Sequence, residues 1–254
     1  MPRPTSNGKN KPFGTPCESC PFQKVPSLRR FTAEELSFIK KCKRAEKIVE
    51  AGSTVFLENS EHVHFYTILS GWAFRYKILE DGRRQILNFT LPSDLLGLQN
   101  AIFKTMKHSV EALTDLTLCV FDRNQLWELY TNHPDLAFDT TWIAASEENL
   151  VGDNLVSVGR RTGIERVAYV LLYLFSRAEQ LQLTKGDELR LPVTQQQIAD
   201  ALGLSLVHTN TTIQKLTKLG LITWKQGIFL LRDRDGLAAI AMYRYEDASP
   251  RPFI

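Results

Sequence analysis

Residues Pro192–Leu231 read PVTQQQIADALGLSLVHTNTTIQKLTKLGLITWKQGIFLL. Thr194 stands where a helix N-cap belongs, because its hydroxyl can accept from an unpaired amide of the first turn. Ile198, Ala199 and Leu202 recur at helical spacing and give a short helix one apolar face. Gly203 ends that helix, and Ser205 caps a second one two residues later. So short a joint forces the two helices to cross steeply, which presents the second to a DNA major groove. The second helix buries Ile213 and Leu216. After Gly220, Leu221-Ile222-Thr223-Trp224, a Gln226-Gly227 turn and Ile228-Phe229-Leu230-Leu231 spell a β-hairpin, the wing. The run predicts a winged helix-turn-helix that binds double-stranded DNA; the plain alternative is a helical hairpin in a core. The expected contact set is Thr194, Gln195 and Gln196 on the first helix and Ser205, Leu206, Val207, His208, Asn210 and Thr211 on the second. Lys215 and Lys218 can reach phosphates, adding affinity without sequence preference.

With 254 residues, the chain is long enough for two domains with separate cores. Its 43% hydrophobic and 23% charged residues are ordinary for a soluble protein. A net charge of +3 says little about partners, but between Arg190 and Asp235 six cations stand against three anions, so this region is mildly basic. The longest apolar run, Val167–Phe175, is too short to span a bilayer. No apolar segment follows Met1, so neither a membrane partner nor a secretory signal is expected, and the cytoplasm is the expected location.

Residues 1–14 are polar, rich in Pro, Gly, Lys, Asn and Ser, and predict a disordered tail. Residues 15–133 form the expected sensor domain. Phe31–Lys47 reads as a helix, with Thr32 and Glu35 forming a capping box and Leu36 and Ile39 facing inward. From Val49 to Asp122 short strands follow: Thr54–Leu57, His64–Leu69, Trp72–Ile78, Gln85–Phe89 and Leu116–Phe121. Asp81-Gly82 between two of them is a hairpin signal. Closely spaced short strands imply a small barrel or roll. Residues 134–160 hold one long helix, in which Leu136, Trp142, Ile143, Leu150 and Leu155 suggest a buried stripe and Glu147-Glu148 lie elsewhere on the surface. An identical helix from a second copy would suit a reader of two half-sites, which makes this the expected dimerisation helix. Residues 161–254 form the DNA-binding domain, opened by a helix over Thr162–Gln180. The fold class is α+β. A cysteine-nucleophile enzyme finds no support, since no His stands in a motif with Cys17 or Cys119 and no phosphate-cradling glycine loop occurs.

In this order of parts, with Leu69-Ser70-Gly71, Asp81-Gly82 and Leu91-Pro92-Ser93-Asp94-Leu95-Leu96-Gly97 in place, the chain resembles the Crp/Fnr transcription regulators over about residues 17–240. The resemblance implies a cyclic-nucleotide-binding-like β-roll, a homodimer, a near-palindromic operator and contact with RNA polymerase, for which the Glu80–Arg84 hairpin is the candidate region. Cyclic-nucleotide binders carry a Glu shortly after the cassette glycine and an Arg-Ser or Arg-Thr pair further on. Here the residues are Gly97-Leu98-Gln99 and His108-Ser109, so no guanidinium fork meets a cyclic phosphate and cyclic AMP is not expected. Family members also place Arg or Glu in the recognition helix where this chain has Leu206, Val207 and Thr211, so its operator should differ. His208 and Asn210 would be the polar readers, Asn pairing naturally with adenine; His208 packed on a phosphate is the alternative.

Four cysteines remain: Cys17, Cys20, Cys42 and Cys119. The Cys17-Glu18-Ser19-Cys20-Pro21 spacing lets two thiolates converge on one metal or cluster, but suits a redox pair equally. The oxygen-sensing members carry a cysteine group before the β-roll and one cysteine in its last strands, which Cys17, Cys20 and Cys119 resemble. The resemblance implies an iron–sulfur cluster on these three. Pro26 lies about where a further cysteine would be, and Cys42 is the lesser candidate. A thiol switch, zinc, a small ligand in the roll, or no sensor at all are the competing readings.

Overall fold

The computed structural model describes residues 14–245 and 250–254. The expected disordered tail, residues 1–14, lies outside them except for Gly14. Two short 3-10 turns, Cys17–Ser19 and Pro21–Lys24, lead into α1 (Ala33–Cys42). Thr32 and Glu35 form the capping box read from the sequence. The helix then stops earlier than expected. Residues Lys43–Val49 are strand β1, not the last turn of a helix, because they pair along their length with β8 (Leu116–Asp122). Tertiary pairing has overridden a local helical pattern.

The roll is two four-stranded sheets. One runs β1–β8–β3–β6, with β3 at His64–Ser70 and β6 at Leu95–Leu96. The other runs β2–β7–β4–β5, with β2 at Thr54–Phe56, β4 at Ala73–Ile78, β5 at Arg84–Thr90 and β7 at Ser109–Ala112. A short helix α2 (Leu98–Phe103) follows β6. Inside the roll Phe56, Ile68, Ala73, Leu96, Val110 and Leu118 are among the buried residues of one apolar cluster. Every strand read from the sequence is present; β1, β6 and β7 were not legible.

Helix α3 (Gln125–Asn132) leads into the long helix α4 (Pro134–Arg160), and Thr162 caps α5 (Gly163–Gln180). The joint is stiff: the Arg161 guanidinium donates to Ser157 Oγ at 2.6 Å and lies 4.0 Å from the centre of the Tyr169 ring. The last domain continues with β9 (Thr184–Lys185), β10 (Glu188–Arg190), α6 (Gln195–Leu202), α7 (Leu206–Lys218), β11 (Ile222–Lys225), β12 (Ile228–Leu231) and α8 (Arg234–Ala241). Its sheet runs β11–β12–β10–β9, so the wing hairpin is extended by two strands not foreseen.

The expected stripe of α4 is buried only in its first half. Leu136 and Ile143 are buried, Trp142 and Leu150 are half-buried, and Leu155 is 72% exposed. The reason is geometric: beyond Ile143 the helix leaves the apolar cluster that holds Phe38, Leu129 and Leu136. Glu147 is likewise not a bystander, since it pairs with the buried Arg75 at 2.6 Å.

The roll and the last domain are packed together. Phe74, Tyr76, Ile86 and Phe89 of the roll share one core cluster with Leu171, Phe175 and Leu202 of the last domain. Arg84 of β5 reaches Asp200 of α6 at 3.0 Å, and Gln85 Nε2 donates to the Ala201 carbonyl at 3.0 Å.

Candidate DNA interface and cysteine pocket

The helix-turn-helix is built as its residues dictate. Thr194 Oγ1 accepts from the Gln197 amide at 3.2 Å and the Gln197 side chain accepts from the Thr194 amide at 2.8 Å, closing a capping box. Gly203 takes φ +63° at the C-cap, a left-handed conformation that favours glycine. Ser205 Oγ accepts from the His208 amide at 3.2 Å and starts α7. Ile198, Ala199, Leu202, Ile213 and Leu216 are buried beneath.

On α7 the outward residues are Leu206, Val207, His208, Asn210, Thr211, Lys215 and Lys218, all exposed, with Val207 at 76%. Among the described residues neither lysine has an ion-pair partner, so both ammonium groups face water. Two of the polar side chains are already engaged. Thr211 Oγ1 donates back to the Val207 carbonyl at 2.9 Å, and Asn210 Oδ1 accepts from Gln214 Nε2 at 3.0 Å. The Asn210 amide donors remain available. His208 leans inward: a Cβ placed on Gly163 would stand 2.3 Å from its Nε2, so the ring rests against the start of α5. On α6, Thr194 and Gln196 are exposed and Gln195 is half-buried; Gln196 donates to Asp200 at 2.7 Å.

The hairpin expected to contact polymerase is split in its roles. Arg83 is exposed and pairs with Asp81, whereas Arg84 lies 5.0 Å from the centre of the Phe74 ring and is committed to Asp200.

Cys17, Cys20 and Cys119 line one apolar cavity of about 30 Å3, together with Thr67, Phe253 and Ile254 among others. Cys42 is buried elsewhere, beside Phe38 and Ile39, and does not line it. The topology explains the convergence. Cys119 is opposite Glu46 of β1 and Thr67 of β3 in the sheet register, and the N-terminal turns fold over that face. Lys43 Nζ donates to the Thr15 carbonyl and to Glu46 Oε1, each at 2.7 Å, and the Thr15 amide donates to Glu46 at 2.6 Å, pinning the segment. Burial raises the Cys17 and Cys20 thiols and pushes Cys119 up to about 12, while Cys42 is pushed up to about 11. All four are therefore thiols, not thiolates, near neutral pH. The residues as arranged do not fit an iron–sulfur cluster. The cavity is scarcely larger than one water, Phe253 and Ile254 take up part of its lining, and among the described residues no three Cys, His, Asp or Glu side chains form a metal-binding group.

Three ionic clusters were missed by sequence reasoning. Arg75 Nη2 donates to Glu147 and to the Leu95 carbonyl, each at 2.6 Å. Asp94 Oδ1 accepts from Arg177 at 2.8 Å and from Arg251 at 2.6 Å, while Oδ2 accepts from the Leu91 amide at 2.9 Å. Burial alone would push the Asp94 carboxyl up, but Arg177 and Arg251 outweigh it and hold it well below the usual range. Arg29 joins Glu35 of α1 to Asp139 of α4. A charged residue inside an apolar run, as Asp94 is in Leu91–Gly97, was the signal available for these partners. At the position read against a cyclic phosphate, His108 is buried and held down to about 3 by burial and by Arg75 and Lys77, so it is neutral. Ser109 Oγ accepts from the Glu58 amide at 2.9 Å. Neither offers a charge to a phosphate.

Among the described residues no helix is long and apolar enough to cross a membrane. Residues 46–133 match the family model for a cyclic nucleotide-binding domain, and residues 165–240 match that for a Crp-like helix-turn-helix domain. The chain is 32% identical to the nitrogen fixation regulation protein FixK of Bradyrhizobium diazoefficiens, over 91% of this chain and 96% of that protein. It is 28% identical to the transcriptional activator protein FnrL of Cereibacter sphaeroides, over 81% of this chain and 83% of that one. Among solved structures, FixK2 from Bradyrhizobium japonicum superposes with a TM-score of 0.72 at 26% identity, covering 79% of this chain and 98% of that one. With a β-roll, a long helix and an exposed recognition helix in the same order as these regulators, the chain belongs to the Crp/Fnr family and is a DNA-binding transcription regulator, not an enzyme.

Proposed function

We propose that the chain acts in the cytoplasm as a homodimer on a near-palindromic operator, contacts RNA polymerase, and is switched by a redox or oxygen signal at Cys17, Cys20 and Cys119. The observation that carries the sensing part is the convergence of these three cysteines, from two distant parts of the sequence, on one cavity at the joint between the N-terminal turns and the roll. A change in their chemical state alters packing there, and Arg29–Asp139 connects the same segment to α4. The dimer is supported by α4: Phe138 and Leu155, 70% and 72% exposed, lie on one helical face with Ala145 and Gly152, spaced by sevens and threes or fours. Thr194, Gln195, Gln196, Ser205, Leu206, Val207, His208, Asn210, Thr211, Lys215 and Lys218 are the proposed DNA-facing set. Within it Leu206 and Val207 suit thymine methyl groups, Asn210 suits adenine and the lysines suit phosphates. The inward lean of His208 favours a positioning role for its ring over base reading.

The carrier of the signal is either the thiols themselves or an iron–sulfur cluster bound in a different arrangement of the pocket. Anaerobic purification with iron and sulfide analysis and a visible spectrum, before and after air, separates them. Colour with matching iron and sulfide assigns the cluster, and a colourless, iron-free protein whose DNA affinity still changes on oxidation assigns the thiols. A small polar ligand in the roll is the second reading. It is favoured by Arg75 Nε, Asn88 Oδ1, Thr90 Oγ1 and His108 Nε2, which are buried with no hydrogen-bond partner among the described residues. A ligand-induced thermal shift in a protein insensitive to oxidation would select it.

A further inference from the structure

The last described residues, Pro250–Ile254, were assigned by the sequence to the DNA-binding domain, yet they pack on the sensor side. The Arg251 amide donates to the Ser27 carbonyl at 2.8 Å and the Arg29 amide donates to the Arg251 carbonyl at 2.9 Å, so the segment runs as a parallel bridge beside the N-terminal turns. Phe253 sits between two rings, 5.2 Å from Phe22 and 4.6 Å from Phe31, centre to centre. Ile254 is buried in the cluster that contains Cys119, and the Thr67 hydroxyl donates to its carbonyl. Phe253 and Ile254 thus form one wall of the pocket that Cys17, Cys20 and Cys119 line.

The same five residues are tied to the DNA-binding domain by one carboxylate. Asp94, from the turn between β5 and β6, holds Arg251 of the segment and Arg177 of α5 on the same oxygen. Removing Arg251 changes the charge balance around Asp94 and hence the grip on α5. Two arginines converging on one buried carboxylate repel each other, so each position depends on the other.

We propose that Pro250–Ile254 is a latch: seated, it covers Cys17, Cys20 and Cys119 and is clasped to the roll through Arg251 and Asp94; withdrawn, it opens the thiols to solvent and leaves Asp94 to Arg177 of α5 alone. The burial that raises these thiols, with Cys119 buried and Cys17 and Cys20 half-buried, agrees with a pocket in which the sulfurs are slow nucleophiles. The use of this latch in signalling rests on the proposed reading of the pocket as the sensor, whereas the shielding and the clasp rest on geometry alone.

The test uses the full, reduced chain and N-ethylmaleimide, with the labelling rate read at each cysteine by peptide mass spectrometry. Phe253→Ala removes the plug and Arg251→Gln removes the clasp; circular dichroism confirms that each variant is folded. Expected is an increase of about tenfold or more in labelling at Cys17 and Cys20, a smaller one at Cys119, and none at Cys42, together with slower hydrogen exchange over Ser176–Gln180 in Arg251→Gln, where Arg177 no longer shares Asp94. Rates at Cys17 and Cys20 equal to those of the unsubstituted chain, or a rise at Cys42 as large as theirs, overturn the shield. Unchanged or faster exchange over Ser176–Gln180 overturns the clasp. Failure of the sensor reading looks different: maleimide-labelled and unlabelled protein then bind DNA equally while the latch results stand.

Discussion

Asp94 shows what a single side chain decides in this molecule. It is buried and shared by two guanidinium groups, so removing its charge leaves both without an anionic partner among the described residues. Asp94→Asn should cost about 3–5 kcal/mol, the range for breaking a buried pair, and lower the thermal midpoint accordingly. The pH behaviour has a definite sign. The folded-state range of Asp94 is depressed, so its contribution is complete above the unfolded value near 4 and is lost as pH falls toward the folded one. His108 acts over a different window. Its folded value, held down to about 3, lies below the ordinary 6.5, so the unfolded chain takes up the proton first and stability falls as pH drops from about 6.5 toward 3. Chemical denaturation across that interval should show a slope of at most ~1.4 kcal/mol per pH unit that His108→Gln reduces. An unchanged slope would mean that the ring is solvated. The sequence pointed to His108 and to the Leu91–Gly97 turn, but not to Arg177 and Arg251 as partners, because they lie 83 and 157 residues away and no local periodicity records such pairs.

At the scale of elements, the helix-turn-helix was legible because its signals are local. Thr194, Gly203 and Ser205 act on the few residues around them, and their caps form as read. Strand β1 was not legible, since its state is decided by β8, some seventy residues on. Recognition by α7 gives a prediction at this scale. Lys215 faces solvent with no ion-pair partner among the described residues, so Lys215→Ala should weaken binding similarly on all duplexes and reduce the logarithmic salt slope by about 1. Titrations at several salt concentrations would measure this, and a loss confined to one duplex sequence would place Lys215 on a base instead. Helix α6 carries a second constraint. Through Asp200 and the Ala201 carbonyl it is fastened to Arg84 and Gln85 of the roll, so the orientation of the helix-turn-helix depends on the roll.

For the whole molecule, the apolar face of α4 and the cysteine pocket are the two features that an isolated domain would not need. Leu155→Glu places a charge on that exposed face and should shift sedimentation from dimer to monomer, with loss of high-affinity binding to a two-half-site duplex. A variant that sediments as the unsubstituted chain does would remove α4 as the interface. The exposure of Leu155 in the single chain was not legible from periodicity, because a spaced apolar residue reads the same whether its partner is in the same chain or in another. The order of domains was legible in the sequence. The path of Pro250–Ile254 back to the sensor was not, because it depends on how the two domains pack. In the proposed function the cysteine pocket governs DNA binding. Anisotropy titration of a duplex selected from a random-sequence pool, at one salt concentration, with protein kept anaerobic and reduced and with the same protein after air oxidation, tests this. Affinities differing by about tenfold or more are expected, a coupling of ~1.4 kcal/mol, with no difference in Cys17→Ser or Cys119→Ser. Equal affinities in the unsubstituted chain would contradict it.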